Sequence, residues 1–320
     1  MPATPFCFRM ACKGFLLQLT VLPILLTACF FGGQEKQSGK NRSAAEKSTA
    51  MDTFQLSQLT VPNNAAYNAV LEDFDKSDLQ NIDRALLIFS NNKADSLARD
   101  SMLISFNEFM ASVMQEYYDG KLLGNRELGD HFRNREDRSE AQKLTISLAK
   151  HGINILFRDG EFYLEPDLSF IYKHLDSVLT AGSRNYLKTK VNIANGFING
   201  DNQPVSPPDS LACQVIAWED FMLKYPEYLM KDEIQTQYVD VLTIYLSGTE
   251  QFPQYDPNTK MLDPKYQSSY LRYIEEYPNR ESTKIVKKYY DLLVKKGFKY
   301  SEGLDSILSE VNFNPTQNSQ

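Results

Sequence analysis

Histidine is scarce, with three residues in 320, and tryptophan occurs once. His131, His151 and His174 form no H-E-x-x-H pair and no Cys/His cluster, and neither a G-x-S-x-G turn nor a glycine-rich phosphate loop occurs. Histidine-based catalysis is therefore weakly supported, and no cofactor or metal site is expected. One tryptophan is also little for a sugar-binding platform, which leans on flat aromatic faces. A basic excess is missing too. The formal charge of −7 argues against nucleic acid and against electrostatic attachment to anionic lipid.

No apolar run is long enough to span a bilayer. The longest, Phe15 to Ala28, covers fourteen residues, whereas a spanning helix needs roughly 20. Arg9 and Lys13 precede it, and no acidic residue comes before Glu35, which is the charge order of a secretory signal. The run ends in Leu26-Thr27-Ala28-Cys29. This tetrad resembles the lipobox of bacterial lipoproteins, a branched aliphatic residue and two small ones before a cysteine. The resemblance implies a signal peptide over 1–28, cleavage after Ala28, and a diacylglyceryl thioether on Cys29. The protein is then expected in the cell envelope, held to a membrane, outer membrane included, by that lipid.

Removing the leader takes Cys7 and Cys12 with it and moves the charge to −9, since its two charged residues are both cationic. Cys213 is then left without a partner, and the expected mature fold relies on packing rather than a disulfide. Residues 29–52 carry the lipidated cysteine and GGQEKQSGKNRSAAEKSTAMD, the composition of a flexible tether. The tail 312–320 is expected to be disordered.

Between them the pattern is mostly α. Residues 53–200 read as an N-terminal helical region. Ser77 to Gln80 has the form of a capping box, followed by Leu79, Ile82, Leu86 and Phe89 at helical spacing. Met102, Phe106, Phe109, Val113 and Tyr117 define a long partner helix from about Asp95 to Tyr118. Residues 131–142, HFRNREDRSEAQ, read as a solvated loop and helix start. Near 153–164 the period switches to two, with Asp159-Gly160 as a two-residue hairpin turn. The hairpin is expected to rest on the helix before it and on a helix from Asp167 to Leu179. A last helix of the region spans about 184–198.

Residues 201–311 repeat. Trp218, Phe221, Met222, Tyr225 and Pro226 recur as Tyr270, Tyr273, Ile274, Tyr277 and Pro278, each displaced by 52, and Ile234, Tyr238, Val241 and Leu242 fall on Val286, Tyr290, Leu293 and Val294. The unit is a helix-turn-helix hairpin, which must stack on neighbours to bury its apolar face. Its aromatic, its Phe or Tyr three residues on, and its Tyr-Pro turn resemble the tetratricopeptide-like repeats of envelope lipoproteins, notably the lipoprotein of the outer-membrane β-barrel assembly machinery. The connector 248–264 is long, and the small residues of the standard repeat are missing. The resemblance therefore carries the array of antiparallel hairpins rather than the assembly role. Trp218 and Tyr270 read as packing residues, expected to face Tyr238 and Tyr290 of their own second helices.

Three further groups have chemistry-bearing residues. Glu161, Glu165 and Asp167 crowd the hairpin as two carboxylates would for glycan hydrolysis, although Glu161 flanks a turn and Asp167 suits a helix N-cap. Asp256 to Asp263 offers oxygens but lacks the glycine and terminal glutamate of a calcium loop. Cys213, beside Val215 and Ile216, reads as an inert core thiol. The function expected is a non-enzymatic helical scaffold with an envelope protein or peptide as partner. The alternatives are a ligand- or glycan-binding surface lipoprotein, or a carboxylate-dependent hydrolase.

Overall fold

The computed structural model describes residues 59–92, 95–133, 138–196, 208–248, 253–309 and 311. Cys29, the expected leader, the tether and the tail lie outside the described residues. Among the described residues the protein is mostly helical with one two-stranded antiparallel sheet, and no helix is long and apolar enough to cross a membrane. Two compact units meet in sequence between Thr180 and Ala181. The boundary expected near 200 thus lies earlier, and helix 181–196 belongs with the repeats.

The first unit begins with α1 (Asn64–Glu72), α2 (Gln80–Ser90) and α3 (Ser96–Tyr117). The apolar stripes behave as their spacing requires: Ile82, Leu86, Phe89, Met102, Phe106, Phe109 and Val113 are all buried. Asp95 caps α3 by accepting from the Ala98 amide at 2.8 Å. The capping box at Ser77 does not form. Asp75 accepts both Ser77 groups instead, and Asp78 accepts from the Gln80 amide at 3.0 Å. Helix α1, which the spacing did not announce, is fixed by Tyr67, whose hydroxyl donates to the Ala85 carbonyl at 3.1 Å inside the core.

Asp119-Gly120 does not stop α3. The chain continues through a π turn, Tyr118–Leu122, which brings Leu122 into the core at 1% exposure. Then follow α4 (Arg126–Arg133), α5 (Ser139–Ala149), β1 (Ile153–Arg158), β2 (Glu161–Pro166) and α6 (Leu168–Leu175). Residues 131–133 are therefore helix rather than loop, because Phe132 packs on Phe157 and Phe162 of the hairpin at ring separations of 5.9 and 5.4 Å. The hairpin has the expected register, Arg158 opposite Glu161. Asp159 and Gly160 both take positive φ, 56° and 90°, as a two-residue turn of this twist demands. Beyond α5, the hairpin packs on α3 and the π turn. Gly152 (φ +71°) admits the ring of Phe170, which lies 2.4 Å from where a Cβ would stand.

The second unit contains α7 (Ala181–Gly196), α8 (Pro208–Lys224), α9 (Lys231–Ser247), α10 (Pro264–Glu276), α11 (Glu281–Lys295) and α12 (Gly303–Leu308). Helices α8 and α9 form one hairpin, α10 and α11 the next. Their turns match at the displacement of 52: Tyr225 N donates to Phe221 O and Tyr277 N to Tyr273 O, then Tyr228 N to Tyr225 O and Arg280 N to Tyr277 O. The prolines follow directly, where their missing amide and ring stop the helix.

Candidate functional site

The aromatic positions of the repeat interlock the helices. Tyr186 of α7 sits 6.2 Å from Trp218 and 6.3 Å from Phe221. In the next unit Tyr245 of α9 sits 5.0 Å from Tyr270 and 5.6 Å from Tyr273. Each hairpin thus grips, with its i,i+3 aromatic pair, an aromatic of the helix that precedes it in the chain. Tyr238 is buried in the same core, whereas Tyr290 lies against Phe298 at 6.0 Å. Within its own hairpin Tyr270 meets Tyr289, at 6.0 Å, because Tyr289 rather than Tyr290 is turned into the core. Trp218 and Tyr270 are 3% and 0% exposed, so neither lines a surface groove.

Polar groups reinforce the stack. Arg272 donates to Asp209, Arg280 pairs with Asp220, and Glu219, 1% exposed, accepts from the Glu281 amide at 2.9 Å and from the Ser282 hydroxyl. A carboxylate of the first hairpin thereby caps the second helix of the next. Burial raises the Glu219 pKa against the lowering by Ser282 and Glu281. The connector supplies Gln254, 1% exposed, which accepts from Tyr289 at 3.1 Å and donates to Tyr270. Neither Glu219 nor Gln254 has a local sequence signature, since their partners lie 62 and 35 residues away.

The other candidates separate. Asp167 caps α6, accepting from the Ser169 and Phe170 amides, and Glu161 is exposed. Glu165 is half-buried, and its Oε1 is enclosed without a hydrogen-bond partner. Burial pushes its carboxyl up from 4.5 to about 7 against the attraction of Arg158. A folded pKa above the unfolded one gives a contribution present below about 4.5 and lost as pH rises through about 7. Glu165→Gln is expected to remove that slope. It should stabilise the chain at pH 7.5 by about 1 kcal/mol, a value reduced because the group is partly solvated, and leave pH 4 unchanged. Thermal melts across this range check it, and an equal shift at both ends would contradict it.

Asp256 holds its own loop, accepting from Asn258 N, Thr259 N and Thr259 Oγ1, which lowers its pKa. Among the described residues no group of three or more potential metal ligands occurs. His151 is bonded to Asp83 at 2.6 Å, and His174 to the Phe170 carbonyl at 2.8 Å. Cys213 is not the isolated thiol expected: it is disulfide-bonded, and Cys7, Cys12 and Cys29 all lie outside the described residues.

Two solvent-open depressions stand out among the described residues. One, about 390 Å³, lies between α3, α4 and α5, beside Tyr117, Lys121 and Lys143. The other, about 680 Å³, lies between α11 and α12. Glu161, Glu165 and Asp167 line neither. Comparison with known proteins returns no matching family model, curated protein or solved structure.

Proposed function

We propose that this protein is a lipid-anchored envelope scaffold that binds another protein through its helical-hairpin unit and performs no chemistry itself. The observation that carries this reading is the interlock of α7 to α11. The repeat's aromatics and its buried carboxylate are engaged in helix stacking, an arrangement suited to presenting outer helix surfaces rather than to closing a catalytic cleft. The anchor rests on Arg9, Lys13, the apolar run and Leu26 to Cys29.

Cys29→Ser is expected to abolish incorporation of labelled fatty acid and to block cleavage after Ala28. Acyl labelling of the Cys29→Ser protein, or its cleavage after Ala28, would overturn the anchor.

A further inference from the structure

We infer that α12 is a plug seated on a helix-binding site, and that an amphipathic helix of a partner protein takes its place; this rests on the scaffold reading and names where the partner binds and in what form. Helix α12 lies against both α9 and α11, the second helices of the two hairpins. Leu304 and Ile307 are 0% and 5% exposed, and Val311 just beyond the helix is 4% exposed. Buried positions at i, i+3 and i+7 are the anchors of a helix laid in a groove.

The plug does not hold its own shape. At six residues it falls well below the roughly 12 to 15 at which an isolated helix becomes even marginal, so its helical form depends on the seat. The chain delivers it there by turning back after α11, where Gly297 and Phe298 take positive φ, 62° and 58°. Leu262 N donates to Phe298 O at 2.8 Å and Tyr300 N to Lys260 O at 3.0 Å, which ties this turn to the connector. Gly303 brings the backbone onto Leu292, whose Cδ2 would lie 3.3 Å from a Cβ there. Where α8 and α10 grip their neighbours with aromatic rings, the buried side chains of α12 are aliphatic. Its departure breaks none of the ring contacts that join α7 to α8 and α9 to α10.

The seat is also larger than its plug. Beside α12 a depression of about 680 Å³ stays open to solvent, with Leu292 and Ile307 in its lining. A longer partner helix with the same stripe covers this apolar floor together with the ground that α12 covers, and the added burial favours exchange. Apolar spacing rather than charge selects it, since Lys284 and Lys287 are already paired with Glu281 and Asp291. Proximity opposes the exchange: α12 is joined to α11 by residues 296–302, and a short tether gives a local concentration in the millimolar range. The plug therefore weakens a partner without excluding it.

The test uses the purified full chain and fluorescence anisotropy. Its probe is a labelled peptide of residues 301–311, SEGLDSILSEV, held helical by a staple between positions 305 and 309, both of which are exposed in the chain. In Leu304→Ser/Ile307→Ser the chain's own plug is weakened, and this variant should bind the peptide at least about 10-fold more tightly than wild type does. The same peptide with both residues changed to serine should not bind, and Leu292→Glu added to the double variant should weaken binding by about 10-fold. Saturating peptide should also speed hydrogen exchange of residues 303–309 in wild type, a readout that does not depend on how the variant folds. Equal affinity for wild type and the folded double variant would overturn the inference, as would exchange that stays unchanged at millimolar peptide. A wild-type dimer that is lost in the double variant would give the seat to a second copy and overturn the partner. If the peptide behaves as predicted yet crosslinking in membranes finds no protein partner, the scaffold reading is what fails. If a partner is found and Leu292→Glu retains it, the scaffold stands and this seat is excluded.

Discussion

Trp218→Ala is expected to lower the unfolding free energy by about 3 to 5 kcal/mol, the range for truncating a large aromatic in a core. The ring is 3% exposed and lies against Tyr186 and Phe221, so its removal leaves a void at the point where α7 meets the first hairpin. Denaturant melts measure the loss. Trp218→Phe should cost less, since much of the ring contact survives. A cycle with Tyr186→Phe and Tyr186→Ala should show coupling of roughly 0.5 to 1.5 kcal/mol for the aromatic contact. A nearly neutral Trp218→Ala would place the ring at a surface and restore it as a ligand contact.

Glu219→Ala is expected to cost roughly 2 to 4 kcal/mol, because it leaves the Glu281 amide and the Ser282 hydroxyl in a buried setting without their acceptor. Glu219→Gln keeps an acceptor and the volume, so it should cost distinctly less. The sign with pH follows from the raised pKa. The wild-type carboxyl favours the folded state most when protonated, and that contribution falls as pH rises through the folded value. Glu219→Gln should therefore compare better with wild type at neutral than at acid pH. If Ala and Gln behave alike, the cap between hairpins is not an energetic link.

What was legible from sequence is what is local. Periodicity located α2, α3, α8, α9, α10 and α11, and Asp159-Gly160 located the β-hairpin, since turn chemistry and apolar spacing act within a few residues. Asp167 declared itself as a cap for the same reason. Helix α1 and α4 were missed because each is short and earns its place through one long-range aromatic, Tyr67 or Phe132. The tyrosine-glutamine network of the connector was missed because 248–264 has loop composition, although Gln254 is buried. The repeat was visible as a displacement of 52, but not the direction in which its aromatics point. Trp218 and Tyr270 meet Tyr186 and Tyr245 of the preceding helix, partners too far away in the chain for a local pattern to name.

The most direct measurement is site-specific photocrosslinking in the native envelope. A photoreactive phenylalanine is placed at exposed Leu223, Leu271 or Val294 of the second unit, and adducts are identified by mass spectrometry. A discrete adduct to one protein at these positions, lost when Cys29→Ser keeps the chain from the membrane, is the predicted result. No protein adduct at any of the three, in a chain that is folded and membrane-bound, would contradict a scaffold.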